Sequence, residues 1–498
     1  MRRLPECALL ALLVLAAGPL QATDCAALPR QLFSSLPDAP TTITSAQSVP
    51  ASADLPAYCQ VVGFVAPQVR FEIRLPDDWN GKFLYQGCGG LCGEVQPATC
   101  DDVLARNYAV AVTDMGHQAA PWQSAWAYNN LPAEIDFAYR ATHVVTVAAK
   151  AIIARHYGRP ATRAYFRGCS TGGRQGLVEA QRFPADFDGI IAGAPVLDET
   201  GVAALHLMWS GQANLDAQGR PLLEPVHVEL LHAAVLNACD ARDGRRDGII
   251  EEPRQCAFDP AVLACPGDVA AAGCLTAGQQ AAVLRIYDGA RNSRGEPLFD
   301  GGLSRGSEYE WVPNFVGRNG PAVFAAGGPL RELYQYLIFM PDPGPNAPTT
   351  VFDFDADPPR LALMETLYTA QNPDLTAFRA RGGKLILYQG WDDAEIPPAL
   401  VTRYFARVQQ TMGGAAATRS FARLFMLPGV AHCRRGPGAD TADWLTYLER
   451  WVEQGKAPDA VDTFHLTIEQ NYLGLPRPRF PLAVTGFDQR RAVKPFRN

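Results

Sequence analysis

Arg163-Ala-Tyr-Phe-Arg-Gly168-Cys169-Ser170-Thr171-Gly172-Gly-Arg-Gln-Gly-Leu-Val-Glu-Ala-Gln181 decides how this chain is read. Residues 163–167 have strand character, 168–172 form a G-x-S-x-G pentapeptide, and 173–181 read as a helix. That order is the context of a nucleophile elbow, in which a serine sits on a strained strand-to-helix turn and flanking glycines let other backbone approach. The Thr171 N–H would open the helix and face a developing oxyanion, assisted by the helix dipole. Cys169 directly precedes the serine, and far downstream Ala431-His432-Cys433 sets a cysteine directly after a histidine. A disulfide holds its Cα atoms roughly 5.5–6 Å apart, so a Cys169–Cys433 bridge would make Ser170 and His432 close neighbours. A nucleophile and its base need that placement. An isolated G-x-S-x-G is usually an ordinary turn. Here the strand, the helix and the flanking cysteines make it a strong signal for a serine hydrolase.

Outward from the elbow, Val69–Leu75 alternates, with Val69, Phe71, Ile73 and Leu75 on one face. Residues 82–85 (KFLY), 108–113 (YAVAVT) and 189–194 (GIIAGA) are further strand candidates, and 134–157 is apolar at helical spacing. Strands alternating with helices imply a mostly parallel sheet covered on both faces. After Val196 the pattern gives way to Gly/Pro-rich stretches and scattered aromatics, until 384–388 (KLILY) and 422–427 (ARLFML) resume buried-strand character. The expected organisation is therefore one catalytic domain, 23–196 and 381–498, interrupted by a lid domain at 197–380.

The chain has 498 residues, 48% hydrophobic and 19% charged, with a formal net charge of −7. Neither that balance nor any Lys/Arg cluster resembles a nucleic-acid footprint, and no His/Cys/Asp cluster has catalytic zinc spacing. Arg2 and Arg3 followed by the apolar run 8–17 read as an export signal cleaved near Ala22. The run is too short to span a bilayer, although an uncleaved anchor is an alternative. A secreted or periplasmic protein is expected, with no membrane contact after cleavage. Eleven cysteines remain after the signal, a number that suits an oxidising compartment. Sensible pairs are Cys25/Cys59, Cys169/Cys433, Cys239/Cys256 and Cys265/Cys274. Cys88, Cys92 and Cys100 are left over, and sequence alone does not fix connectivity.

The acid partner of His432 should follow a late strand. Gln389-Gly-Trp-Asp392-Asp393 follows KLILY, and Asp393 is the expected residue, with Asp392 and then Glu395 as alternatives. A second oxyanion donor should come from Gly87-Cys-Gly89-Gly90-Leu-Cys-Gly93, where Gly89 and Gly90 are equally placed. His117 and His143 read as structural. Asp240, Asp243 and Asp247 put three carboxylates in eight residues among glycines, a composition that suits a hard cation and equally a solvated acidic turn.

GCSTGGRQG (168–176), RFPADFDGIIAGAP (182–195), GWDDAEIPP (390–398) and PGVAHC (428–433) together resemble the tannase/feruloyl esterase family, and the resemblance covers nearly all of the mature chain. It implies an α/β-hydrolase fold with a large inserted lid, a Ser170–Asp393–His432 triad and a Cys169–Cys433 bridge. One departure is Asp392, where the family often has a small residue. The resemblance also implies a structural Ca2+ held by Asp240, Asp243 and Asp247 with the carbonyls of Arg245 and Ile249, braced by Cys239 and Cys256. It implies a small aromatic ester as substrate: a feruloyl, galloyl or similar ester, or a terephthalate monoester. Trp209, Tyr309, Trp311, Phe315, Phe324, Tyr334 and Tyr336 in the lid could stack on a flat acyl group, and Arg331 could pair with a carboxylate. The rival readings are an inactive binding protein on the same scaffold and a serine peptidase.

Overall fold

A computed structural model describes residues 22–318, 322–324, 328–347, 352–466 and 487–497. The expected export signal lies outside them, apart from Ala22. Nine strands form one sheet: β1 (Thr41–Val49), β2 (Tyr58–Val65), β3 (Val69–Pro76), β4 (Lys82–Gln86), β5 (Ala109–Thr113), β6 (Arg163–Cys169), β7 (Gly189–Gly193), β8 (Lys384–Gly390) and β9 (Ala422–Leu427). Their spatial order is β1-β2-β3-β5-β4-β6-β7-β8-β9. The first three pairings, through β3–β5, are antiparallel; from β5 through β4 to β9 every pair is parallel.

Period-two alternation explains how the sheet is covered on both sides. Phe166, Ile190, Leu385 and Leu387 enter one apolar cluster, with Val145, Ile152 and Leu177 of the helices Ala141–Tyr157 and Thr171–Arg182. Their neighbours Tyr165, Ile191 and Ile386 enter the other, under Trp444, Leu448 and Trp451 of the helix Trp444–Gln454. Strands buried on both faces show no polar alternation, and β5, β7 and β9 are buried at every position. In β3, Val69, Phe71, Ile73 and Leu75 are all fully buried.

The expected helix over 134–157 is interrupted. Leu131–Ile135 is α-helical, Asp136–Arg140 is a π turn, and Ala141–Tyr157 completes the run up to Gly158 at φ 69°. A single π turn adds one residue to the winding, too little to disturb the apolar pattern. The helix after the serine begins at Thr171, two residues earlier than the sequence suggests. β1 escapes the sequence reading because six of its nine residues are polar and it lies on the sheet edge. β10 (Val461–Leu466) and β11 (Phe487–Val493) form a separate antiparallel pair.

β7 and β8 are adjacent and parallel, with Gly189 opposite Lys384. Between them, the described residues contribute no strand to the sheet. They form the helices Pro225–Cys239, Ala277–Asp288 and Pro329–Tyr336 and many short turns. Among the described residues there are five disulfides: Cys25–Cys59, Cys88–Cys92, Cys169–Cys433, Cys239–Cys256 and Cys265–Cys274. Cys100 is a buried thiol.

The Cys169–Cys433 bridge spans a sequence separation of 264, and closing a loop of that length is worth roughly 5 kcal/mol in the chain-entropy model. Cys169→Ala combined with Cys433→Ala should therefore move the denaturant midpoint sharply downward. An unmoved midpoint would show that the bridge adds nothing to stability.

Candidate active site

Ser170 links β6 to the helix Thr171–Arg182 at φ 63° and ψ −126°. A non-glycine residue held there stores strain, and the surrounding backbone enforces it. The Ser170 N–H donates to the Gly193 carbonyl at 3.0 Å, and its own carbonyl accepts from the Arg174 N–H at 3.0 Å. A Cβ on Gly168 would stand 2.5 Å from the Gly172 carbonyl, and one on Gly172 would stand 2.9 Å from the Cys88 carbonyl oxygen. Only glycine lets these three segments pack around the turn. Ser170 is 7% exposed. Among the described residues its hydroxyl makes no hydrogen bond. In free enzymes such contacts are often long and tighten only with substrate.

Cys169 and Cys433 bring the two chain segments to a Cα separation of 6.1 Å. His432, on the loop after β9, is 1% exposed, and its Nδ1 lies 2.8 Å from Asp393 Oδ2. A carboxylate only accepts, so this contact puts the proton on Nδ1 and leaves Nε2 as the acceptor. Asp393 is itself fixed by three donors: Gln389 Nε2 at 2.8 Å on Oδ2, with the Glu395 and Ile396 N–H groups at 2.9 and 2.8 Å on Oδ1. Asp392 lies against Gly306 and Tyr309. Burial, reinforced by the charge of Glu308, raises its pKa well above the usual carboxylate range. Burial on its own would lower the pKa of His432. The charges of Asp393 and Glu395 and the hydrogen bond to Asp393 outweigh it and raise the value to about 9.

The glycine-rich loop after β4 lies against the start of the serine helix. The Thr171 hydroxyl donates to the Gly90 carbonyl. The Leu91 N–H donates to the Pro121 carbonyl at 2.6 Å and the Cys92 N–H to the Gly89 carbonyl at 3.0 Å. The amides of Gly89 and Gly90 make no such backbone bond among the described residues. The Cys88–Cys92 bridge closes this loop, and Gln175 on the serine helix donates to Cys88 Sγ at 3.0 Å. The four-residue spacing of these cysteines was its only trace in the sequence. Two charged neighbours of the imidazole were also not foreseen as site residues, Arg435 and Glu310 (Glu310 Oε2 lies 3.6 Å from Arg435 Nη2).

The aromatics between β7 and β8 divide. Trp311, Phe315 and Phe324 are core, at 0%, 3% and 1% exposure. Trp209 donates to the Arg285 carbonyl and stacks edge-on to Phe354. Tyr336 packs edge-on to Tyr128, and Arg331 is exposed.

The acidic loop has the right donor chemistry for a hard cation, and Cys239–Cys256 closes it. Its carboxylates are engaged separately, however. Asp240 accepts from the Asp247 and Gly248 N–H groups, Asp243 accepts from the Arg245 N–H, and Asp247 pairs with Arg491 at 2.6 Å. Ile249 is buried beneath the loop. Among the described residues, the one trio of His, Asp and Glu whose ligand atoms lie within 4.8 Å of one another is His143, Glu179 and Asp186. Lys150, 4.0 Å from Asp186, supplies a counter-charge there, and His143 Nδ1 lies 2.6 Å from Asp186. This trio is a polar tie between two helices.

A family model described as "Tannase and feruloyl esterase" matches residues 54–482. Mono(2-hydroxyethyl) terephthalate hydrolase of Piscinibacter sakaiensis is 36% identical, over 88% of this chain and 83% of that one. Feruloyl esterase B from Aspergillus oryzae superimposes with a TM-score of 0.79 at 26% identity, covering 95% of each chain. Tannin acyl hydrolase from Aspergillus niger, at 23% identity, shares the fold with a TM-score of 0.70 over 92% and 87% of the two chains. The α/β fold here carries a serine on a strained elbow beside a buried histidine–aspartate pair, and the chain belongs to the tannase and feruloyl esterase family of carboxylic ester hydrolases.

Proposed function

We propose that this protein is an exported serine esterase that cleaves esters of aromatic acids through Ser170, His432 and Asp393. The observation that carries the reading is the His432–Asp393 contact, held beside the serine elbow by the Cys169–Cys433 bond. His432 Nε2 takes the Ser170 proton as Oγ attacks the ester carbonyl. Asp393 fixes the imidazole tautomer and stabilises the imidazolium. The Thr171 N–H, with that of Gly89 or Gly90, receives the oxyanion, each donor being worth roughly 100- to 1000-fold in turnover. The imidazolium then protonates the leaving alcohol, and water, deprotonated by the same nitrogen, releases the acid. The segment 197–380 is read as the lid: His206 Nε2 contacts the Ala394 carbonyl at 2.9 Å, which joins that segment to the aspartate loop. Five disulfides support export to an oxidising compartment.

Aromatic acyl groups are supported by the family and by the relatives' names, feruloyl esterase B and mono(2-hydroxyethyl) terephthalate hydrolase among them. Ser170→Ala should abolish hydrolysis across a panel of methyl ferulate, methyl gallate and mono(2-hydroxyethyl) terephthalate while the fold survives. Retained turnover would end the reading.

The base must be neutral to act, and its pKa is raised to about 9. The protonated fraction falls as pH rises through that value. For the fastest ester of the panel, kcat/KM should climb about tenfold per pH unit below it and level off near pH 9. A flat profile between pH 6 and 8 would contradict His432 as the base.

The loop 240–249 is proposed to hold a structural calcium through Asp240, Asp243, Asp247 and the Arg245 and Ile249 carbonyls, with Asp247 exchanging Arg491 for the ion. Chelation of the purified protein should lower its melting temperature, and calcium should restore it. An unchanged melt with no bound metal by elemental analysis would refute the site.

A further inference from the structure

Glu395 has no part in the triad, yet it is not a surface residue: its side chain is 12% exposed. Its Oε2 lies 3.9 Å from His432 Nε2, and its Oε1 lies 3.7 Å from Arg435 Nη2. On that same guanidinium nitrogen, 3.6 Å away, converges Oε2 of Glu310, a residue 6% exposed whose Oε2 has no hydrogen-bond partner. These contacts are longer than hydrogen bonds. They hold three charged groups around one space: one from the loop after β8, one from the loop after β9 and one from the segment between β7 and β8. The backbone is bent to bring Arg435 there. It sits at φ 74°, its N–H donates to Asp440 Oδ2 at 2.8 Å, and its carbonyl accepts from the Ala431 N–H at 3.0 Å.

In the serine-esterase reading, Nε2 is the atom that hands a proton to the departing alcohol, whose oxygen must come to about 3 Å from it. Any substituent on that alcohol then passes within reach of Glu395. Resting on that reading, we propose that Glu395, Arg435 and Glu310 form a subsite for the alcohol half of the ester, selecting neutral alcohols rich in hydroxyl groups, such as polyols and sugars, over alcohols that carry a carboxylate. Two carboxylates supply acceptors for hydroxyl donors. With a single guanidinium between them, the cluster repels a further negative charge. As the tetrahedral intermediate collapses, the ester C–O bond breaks, the alcohol oxygen takes the Nε2 proton, and the neutral alcohol leaves past Glu395. Glu395 gives up no proton and is a specificity residue.

The test uses three esters of one aromatic acid, the fastest of the panel above: the methyl, the glucosyl and the quinate ester. Values of kcat/KM are measured at one pH above 8, where Glu310 is ionised, and expressed relative to the methyl ester, so that any common effect on His432 cancels. In the native enzyme the glucosyl ratio should exceed the quinate ratio. Glu395→Gln should lower the glucosyl ratio and raise the quinate ratio, each about tenfold, the size expected for one hydrogen bond to a charged group. Glu310→Gln should move both in the same directions, and it guards against a Glu395 variant that fails to fold. Ratios unmoved within about twofold in both variants would overturn the subsite while leaving the esterase intact. No hydrolysis of any of the three, with no fluorophosphonate labelling of Ser170, would bring down the esterase reading and the subsite with it.

Discussion

One covalent bond, Cys169 to Cys433, sets the geometry on which the candidate site depends. It joins the C-terminal end of β6, beside the serine, to the loop after β9, beside the histidine. In the sheet those strands are separated by β7 and β8. Hydrogen bonding between strands fixes their spacing but leaves the loops above them free to drift. The bridge removes that freedom for the two residues whose separation matters most, and the strained elbow fixes the serine from the other side. Preorganisation of this kind is established at folding, before any ligand arrives.

The second constraint is electrostatic. Asp393, Glu395 and Glu310 surround one buried imidazole, and Asp392 lies next to Asp393 in the chain. Burial penalises the charged forms of Asp392, Glu395 and Glu310, so the group responds unevenly. Asp393 collects four hydrogen-bond donors. The Asp392 carboxyl is pushed well up, and burial raises Glu310 to about 7 despite Arg435. Adjacent acids in one loop thereby take different roles through their surroundings alone.

The parts legible in the sequence were those whose physics is local. The elbow announced itself because strand, glycines and helix are contiguous. Val69 to Leu75 was readable because one face of β3 is uniformly apolar, and KLILY because both faces of β8 are buried. Four of the disulfides join cysteines that the sequence offered as sensible pairs without fixing their connectivity. What stayed hidden depends on residues far apart in the chain. Glu310 and Arg435 meet near the imidazole only because the segment after β7 folds back over the loop after β9, and no spacing encodes that contact. The π turn at Asp136–Arg140 shifts the apolar pattern too little to show in it, and the polar edge strand β1 leaves a pattern too weak to read. The acidic loop shows the converse: its composition was plain in the sequence, whereas the pairing of Asp247 with Arg491 depends on the distant β11.

The placement of the long excursion between two adjacent strands has a consequence for how the molecule matures. β8 cannot take its slot beside β7 until everything from residue 194 to 383 has been synthesised and moved aside, and β9 must follow it. Contacts this distant in sequence close slowly, and until they do, the edge of β7 is an open template for pairing with another chain. A half-synthesised polypeptide would present that edge until β8 arrives. Its yield would then be governed by whatever chaperones and neighbouring chains meet it in that interval.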